Sequence, residues 1–269
     1  MVKFLCVLLC VLILASCGTV GTREGSNWGS TARSPSLADL SRASLNALRA
    51  PETWVPVMGA VLFSATDWDK GLSTWARRER PLFGSQQAAL DASDTLRDWA
   101  KYGVVATALL TPGAGDGWQT ATDKITGMSI QLGAWLVNDV ATTAFKRGFS
   151  RRRPLPVNNR SFPSGHTSQA FAAGTLSRRN LEYLDISSFS KRAWDVGFIT
   201  LGVGTSWARV EAGMHYPSDV LAGAALGHFI AAVVNDVFLG RTRAGYSAAS
   251  QFRLTTGYHQ VRLTWERHF

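Results

Sequence analysis

The chain has 269 residues, of which 46% are apolar and 17% charged, so it can bury a sizeable core and is excluded from the disordered classes. Lys and Arg number 28 against 19 Asp and Glu, a formal charge of +9 that favours anionic partners without choosing among phosphorylated substrates, lipid head groups and nucleic acid. All three cysteines, Cys6, Cys10 and Cys17, lie in the first apolar segment, which excludes a disulfide framework in the rest of the chain.

Lys3, the apolar run from Phe4 to Ala15 and the small-residue exit Ser16-Cys17-Gly18 form a segment too short to span a bilayer, and residues 1–16 read as an export signal. The tetrad Leu14-Ala15-Ser16-Cys17 resembles the bacterial lipobox. That resemblance implies lipidation of Cys17 and a lipid-anchored protein on the periplasmic side of a bacterial envelope. Gly18 in place of aspartate makes the outer membrane the default over the inner. The competing reading is an ordinary signal peptide with an incidental cysteine. Residues 17–36, rich in Gly, Ser and Thr, read as a flexible tether, and a domain is expected over residues 37–250.

Helical periodicity covers Val55 to Ala65, Ala88 to Leu110, Met128 to Phe145, Thr167 to Leu176, Trp194 to Ala208 and Asp219 to Phe238, with prolines and glycines between them. Six or seven helices imply an all-α domain. Leu132, Leu136, Val140 and Ala144 form the clearest stripe. With the polar interruptions Gln131, Asn138 and Asp139, and His228, Asn235 and Asp236 in Val220 to Phe238, these segments read as buried helices of a water-soluble bundle, with a membrane-embedded version as the lesser alternative. From Val261 the residues alternate, and Gly257 can turn the preceding stretch against them, so residues 251–269 are predicted to form a small C-terminal β-hairpin.

Three short segments carry candidate chemistry. Lys146 and Arg153 are separated by six residues across a Gly-containing turn and can bend back on one point, although a run of charge is more often a solvated loop. Ser164-Gly165-His166 opens a helix, where free N–H groups and the positive end of the helix dipole suit an oxyanion; the plainer reading is an N-cap with an exposed histidine. In the third segment, from Arg209 to Asp219, Ser218 can cap a helix opened by Asp219, whose carboxylate can then reach the ring of His215 and leave Nε2 as a nucleophile. The plainer reading there is a structural His-Asp pair.

In this order and at these spacings the three segments resemble the signature motifs of the type 2 phosphatidic acid phosphatase superfamily, which includes bacterial acid phosphatases and vanadium haloperoxidases. Ala208 departs from the usual serine before the third motif's arginine, which puts a secondary hydrogen bond in doubt. The resemblance implies a multi-helix bundle in which His215 attacks phosphorus to form a phosphohistidine, Asp219 orients it, and His166 protonates the leaving oxygen and then activates water. It further implies that Lys146, Arg153, Arg209, Ser164 and the Gly165 N–H bind the phosphate oxygens, with no metal and no cofactor.

The substrate implied is a lipid phosphate or diphosphate, with a soluble-substrate acid phosphatase close behind. A vanadate-holding haloperoxidase is a third reading. Nucleic-acid binding is discounted because basic and aromatic residues do not interleave, and the oligomeric state is open. The cations around both histidines predict a bell-shaped pH profile on the acid side of neutrality. Arg151, Arg152, Arg77, Arg78 and Arg80 read as solvated, Glu211 as a solvent-facing loop acid, Trp68, Trp75 and Trp99 as core or interface aromatics, and His228 as a packed histidine. The pocket's specificity is expected from the loops Thr111 to Thr126 and Arg178 to Arg192.

Overall fold

The computed structural model describes residues 28–30, 32, 34–113 and 117–240, together with the backbone of 251–257 and 260–266. The leader and Cys17 lie outside the described residues. Among the described residues eight helices follow in chain order: α1 (Leu37–Arg49), α2 (Pro51–Ser64), α3 (Trp68–Glu79), α4 (Gln86–Leu110), α5 (Gly117–Phe149), α6 (Gly165–Leu181), α7 (Ser188–Glu211) and α8 (Pro217–Phe238). α1 and α3 had no distinct periodic signal. Strands β1 (Gln251–Gly257) and β2 (Gln260–Glu266) pair antiparallel, with Phe252 opposite Trp265 and Leu254 opposite Leu263, as the alternation predicts.

α1 begins where the domain is expected to begin, because Ser36 accepts the Asp39 N–H while its own N–H donates to the Asp39 carboxylate, a reciprocal cap. The tether, however, does not run unbroken to that point. Trp28 is fully buried against Ala108, Tyr183 and Leu239, and its backbone N–H donates to the Pro112 carbonyl. Burying an indole contributes on the order of 4 kcal/mol, enough to seat a segment that is otherwise small and polar.

α8 is the central helix and packs against α6, α2, α5 and α1. Its closeness to α6 depends on Gly223 and Gly227, one turn apart: a Cβ at either would lie 2.5 Å or 2.1 Å from the carbonyl oxygens of Ser164 and Ser168. α6 is lined with buried small residues on several sides: Ala172 clusters with Ala231 of α8, Ala170 and Ala173 with Ala100 of α4, and Gly174 meets Phe198 of α7. This close seam sets the starts of α6 and α8 side by side.

The stripe expected to be core on α5 faces outward instead. Leu132, Leu136 and Val140 are 56%, 58% and 70% exposed, while Gln131, Asn138 and Thr142 are buried. Gln131 and Asn180 exchange hydrogen bonds through their amides, Asn180 also donates to Thr107, and Ser168 donates to Asn138. Outward-facing apolar side chains continue on α2 (Trp54, Val57, Met58, Val61), α4 (Val105, Leu109) and α7 (Val196, Ile199, Val203). Buried amides stand among the apolar core clusters while large apolar side chains form a band around the waist of the bundle, and among the described residues one helix, α8, is long and apolar enough to cross a membrane. Trp68, Trp75 and Trp99 are likewise exposed rather than core.

Candidate active site

The site lies at the end of the bundle where α6 and α8 begin and α5 and α7 finish, beyond the apolar band. α8 opens one residue earlier than the Ser218 cap would place it. Pro217 takes the first helical position, where no N–H is needed, and the Asp219 carboxylate accepts the Tyr216 N–H at 2.8 Å. α7 ends through Gly213, whose φ of 71° turns the chain so that the Met214 and His215 N–H groups both donate back to the Arg209 carbonyl. Arg209 and His215, six residues apart, are thereby pinned together. Ser164 joins them through its N–H, which donates to the Asp219 carbonyl at 2.9 Å.

All eight predicted site residues come together at this end of the bundle. His215 is 1% exposed, and its Nδ1 stands 3.8 Å from Asp219 Oδ2, an electrostatic contact rather than a hydrogen bond. Asp219 is occupied elsewhere: Oδ1 accepts from Arg151 at 2.7 Å and Oδ2 from the Ser161 hydroxyl at 2.5 Å. Lys146 Nζ donates to the Pro163 and Arg160 carbonyls at 2.7 and 3.1 Å, with its Cε against Gly165. Arg153 reaches Asn158 and the sulfur of Met214, and Arg209 reaches Ser93. The Ser164 hydroxyl is fully buried and accepts from Thr167, and Gly165 and His166 supply the first N–H groups of α6.

Burial, then the charges of Lys146 and Arg209, depress the His215 pKa to about 3 against the pull of Asp219. Burial, then Arg209 and Arg97, depress His166 to about 4, opposed by Asp94, whose carboxylate touches His166 Nε2 at 2.8 Å. Burial, then Arg153, brings Lys146 down to about 8. Burial acts to raise Asp219, but His215, Arg151 and Ser161 outweigh it and hold the carboxyl below its usual range.

Lys146, Arg153 and Arg209 converge with no ion pair to any carboxylate among the described residues. Three partly desolvated cations beside a bare imidazole and a helix N-terminus make a receptor for one multiply charged oxyanion. Among the described residues no three His, Cys, Asp or Glu side chains cluster as a metal-ligand set.

Several residues read otherwise in the sequence belong here. Arg151, expected to be solvated, is wedged between Asp219 and Asp69. Glu211, expected in solvent, is fully buried and accepts from the Leu82 and Phe83 N–H groups and the Trp207 indole, which ties the α3–α4 loop to α7. Asp69, Ser93, Asp94 and Ser161 gave no signal. The loops expected to shape the pocket are at the other end: α6 runs 17 residues from the site before residues 182–187 follow it, about 25 Å away. The groups packed on the site come instead from α3 (Asp69), α4 (Ser93, Asp94) and residues 150–163. His228 is packed as expected, 4% exposed and bonded to Thr175.

A profile of the PAP2 superfamily matches residues 127–243, which contain every site residue from Lys146 to Asp219. Over 110 residues, 38% of this chain, the sequence is 37% identical to a lipid A 1-phosphatase of Porphyromonas gingivalis, of which the match spans 23%. Over 121 residues it is 33% identical to a decaprenylphosphoryl-5-phosphoribose phosphatase of Mycobacterium tuberculosis, of which the match spans 61%. In fold it is similar to a transmembrane PAP2-type phosphatidylglycerolphosphate phosphatase from Bacillus subtilis, with a TM-score of 0.51 and 17% identity over 69% of this chain and 94% of that one. The three motifs in order and the profile match identify residues 127–243 as a region of the PAP2 superfamily, and the helical bundle has the fold of the PAP2-type structure.

Proposed function

We propose that the protein is a metal-independent phosphatase that cleaves a phosphomonoester or diphosphate from a lipid through a phosphohistidine at His215. The observation that carries this reading is the cluster of Lys146, Arg153 and Arg209 around His215 without a counter-ion, since phosphoryl transfer asks mainly for positioning and charge stabilisation. His215 Nε2 attacks phosphorus in line. The three cations and the Gly165 N–H take up the equatorial oxygens. His166 gives its proton to the leaving oxygen and then takes one from the water that releases phosphate.

A lipid substrate is supported by the apolar waist, which we read as sitting in a bilayer with the site at its edge. Large side chains such as Leu136 and Val140 then face acyl chains, and the amides of Gln131 and Asn180 satisfy each other inside. In this reading the bundle itself holds the protein in the envelope membrane, and lipidation at Cys17 adds a second anchor. The two curated relatives, both phosphatases of lipid-linked phosphates by name, point the same way.

The test is phosphate release in EDTA from phosphatidate, a polyprenyl diphosphate, lipid A and a small chromogenic ester, all in mixed micelles. Turnover of a lipid substrate is expected. Activity on the chromogenic ester alone would favour the soluble-substrate reading, and bromination with vanadate and peroxide the haloperoxidase one.

A further inference from the structure

We propose that Arg151, held from behind by Asp69, is a positioning residue for His215: it neutralises the Asp219 carboxylate on the side away from the imidazole, so that Asp219 can orient His215 without charging it. The inference rests on the reading of His215 as the nucleophile.

The geometry is a clamp across three elements. Arg151, in the loop between α5 and α6, donates through Nη1 to Asp219 Oδ1 and the Ser218 hydroxyl, both at 2.7 Å, and through Nη2 to Asp69 Oδ2 at 2.6 Å. Its guanidinium lies 4.3 Å over the Tyr216 ring. Asp69, at the start of α3, also accepts the Ser218 N–H at 2.9 Å and the Ser218 hydroxyl at 2.6 Å. Both carboxylates are buried, at 4% and 0% side-chain exposure, and Arg151 is 30% exposed. Every hydrogen-bonding direction of this arginine used at the site is aimed at a carboxylate or a hydroxyl, and none at the anion receptor.

A buried carboxylate beside an imidazole does two opposing things. It fixes the tautomer, and it attracts a second proton that would abolish nucleophilicity. The charged groups acting on His215 are Lys146 from α5, Arg209 from α7 and Asp219 from α8; Arg153 bonds the neighbouring Met214, and Arg77 of α3 lies beside Gly213. Lys146, Arg153 and Arg209 favour the neutral ring, but a bound phosphate dianion offsets their charge. Arg151 lies behind Asp219, bonded to Asp219 and Asp69 rather than to the anion receptor, so its pairing does not change when phosphate binds. It therefore keeps the imidazole neutral when the site is loaded, which is when neutrality matters.

The test uses the full-length protein in micelles, with kcat at saturating substrate followed against pH on one phosphomonoester so that the ester's own ionisation cancels between variants. Arg151→Gln is expected to move the acid limb of kcat up by about one pH unit, a loss approaching tenfold on the acid side of the limb and little near pH 8. Arg151→Lys, which keeps the charge, holds the limb near its wild-type position. In an Asp219→Asn background Arg151→Gln adds at most about a twofold loss. A loss uniform across pH, or one fully additive with Asp219→Asn, overturns the proposal.

Should Arg151→Gln fail to fold, Asp69→Asn decides. It leaves both charges of the Arg151–Asp219 pair in place and is expected not to raise the acid limb; a rise overturns the proposal. Separately, 15N-histidine NMR, with His215 assigned through His215→Gln, reads the ring directly. An unchanged His215 titration midpoint in Arg151→Gln overturns the clamp whatever the activity. A wild-type chain that releases no phosphate overturns the functional reading instead, and the NMR comparison then judges the clamp alone.

Discussion

The two imidazole–carboxylate pairs of the site are built in opposite ways. His215 and Asp219 are both buried, yet they stand 3.8 Å apart, and the carboxylate is spent on Arg151, Ser161 and the Tyr216 N–H. His166 and Asp94 sit at the mouth, 28% and 53% exposed, and are in direct contact at 2.8 Å, with Arg97 sharing the carboxylate at 3.1 Å. In the inner pair the carboxylate is neutralised and the ring is left bare, which suits a base that must not be charged. In the outer pair the carboxylate is committed to the ring, which suits an acid that must hold a proton against Arg209 and Arg97. The same two residue types thus serve opposite protonation states because their other partners differ.

The comparison breaks first at His215. His215→Ala is expected to lower kcat/KM on every substrate by about 10⁴-fold or more while leaving the helical circular dichroism intact, since the ring makes no side-chain hydrogen bond. Residual turnover above about one per cent would place the nucleophile elsewhere. Asp94→Asn is expected to cost about tenfold to a hundredfold on a lipid phosphate, whose alkoxide must be protonated as it leaves, and almost nothing on p-nitrophenyl phosphate, whose leaving group needs no acid. Equal losses on both would make Asp94 a structural residue rather than the support of a general acid.

The pH dependence sharpens the contrast. In the free protein the two rings gain charge only as pH falls through about 4 and about 3, and Lys146 loses its charge as pH rises through about 8. Substrate affinity is therefore expected to decline above pH 8, seen as a rising KM. A bound dianion offsets Arg209 and raises His166, so the limb of kcat that reports the acid should lie at higher pH than the matching limb of kcat/KM. Coincident limbs would remove His166 from the acid role. The bell expected from sequence then belongs to the loaded enzyme.

How much of this was legible follows from what a sequence can encode locally. Lys146, Arg153, Ser164, Gly165, His166, Arg209, His215 and Asp219 stood out because their order and spacing are themselves the signal. Asp69, Ser93 and Asp94 did not, because each is a lone polar residue on a helix whose partner is more than 70 positions away. Ser161 is nearer the motif but has nothing in its spacing to mark it.

The inversion of α5 has a different cause. Periodicity correctly grouped Leu132, Leu136 and Val140 on one face and says nothing about what that face meets. The available signal lay in the residues read as interruptions. Gln131 and Asn138 are seven apart and so share a face, and a face of buried amides opposite one of leucine and valine marks a surround that is not water. α8 escaped the confusion because it is apolar nearly all round and central, so either assumption buries it.

The smallest expected effect separates the two pairs most finely. Arg97 depresses His166, and its ion pairs are to Asp94 and Asp98, not to the Asp219 carboxylate beside His215. Arg97→Gln removes one cation from the outer pair and frees the Asp94 carboxylate for His166, so the His166 pKa is expected to rise while that of His215 stays put. On a lipid phosphate this should move the limb of kcat assigned to the acid to higher pH and raise kcat slightly above neutrality. On p-nitrophenyl phosphate kcat should be unchanged, and the histidine NMR midpoints should move for residue 166 alone. A parallel shift at residue 215 would mean that the two pairs share one electrostatic environment and that their division into base and acid is not set by their separate partners.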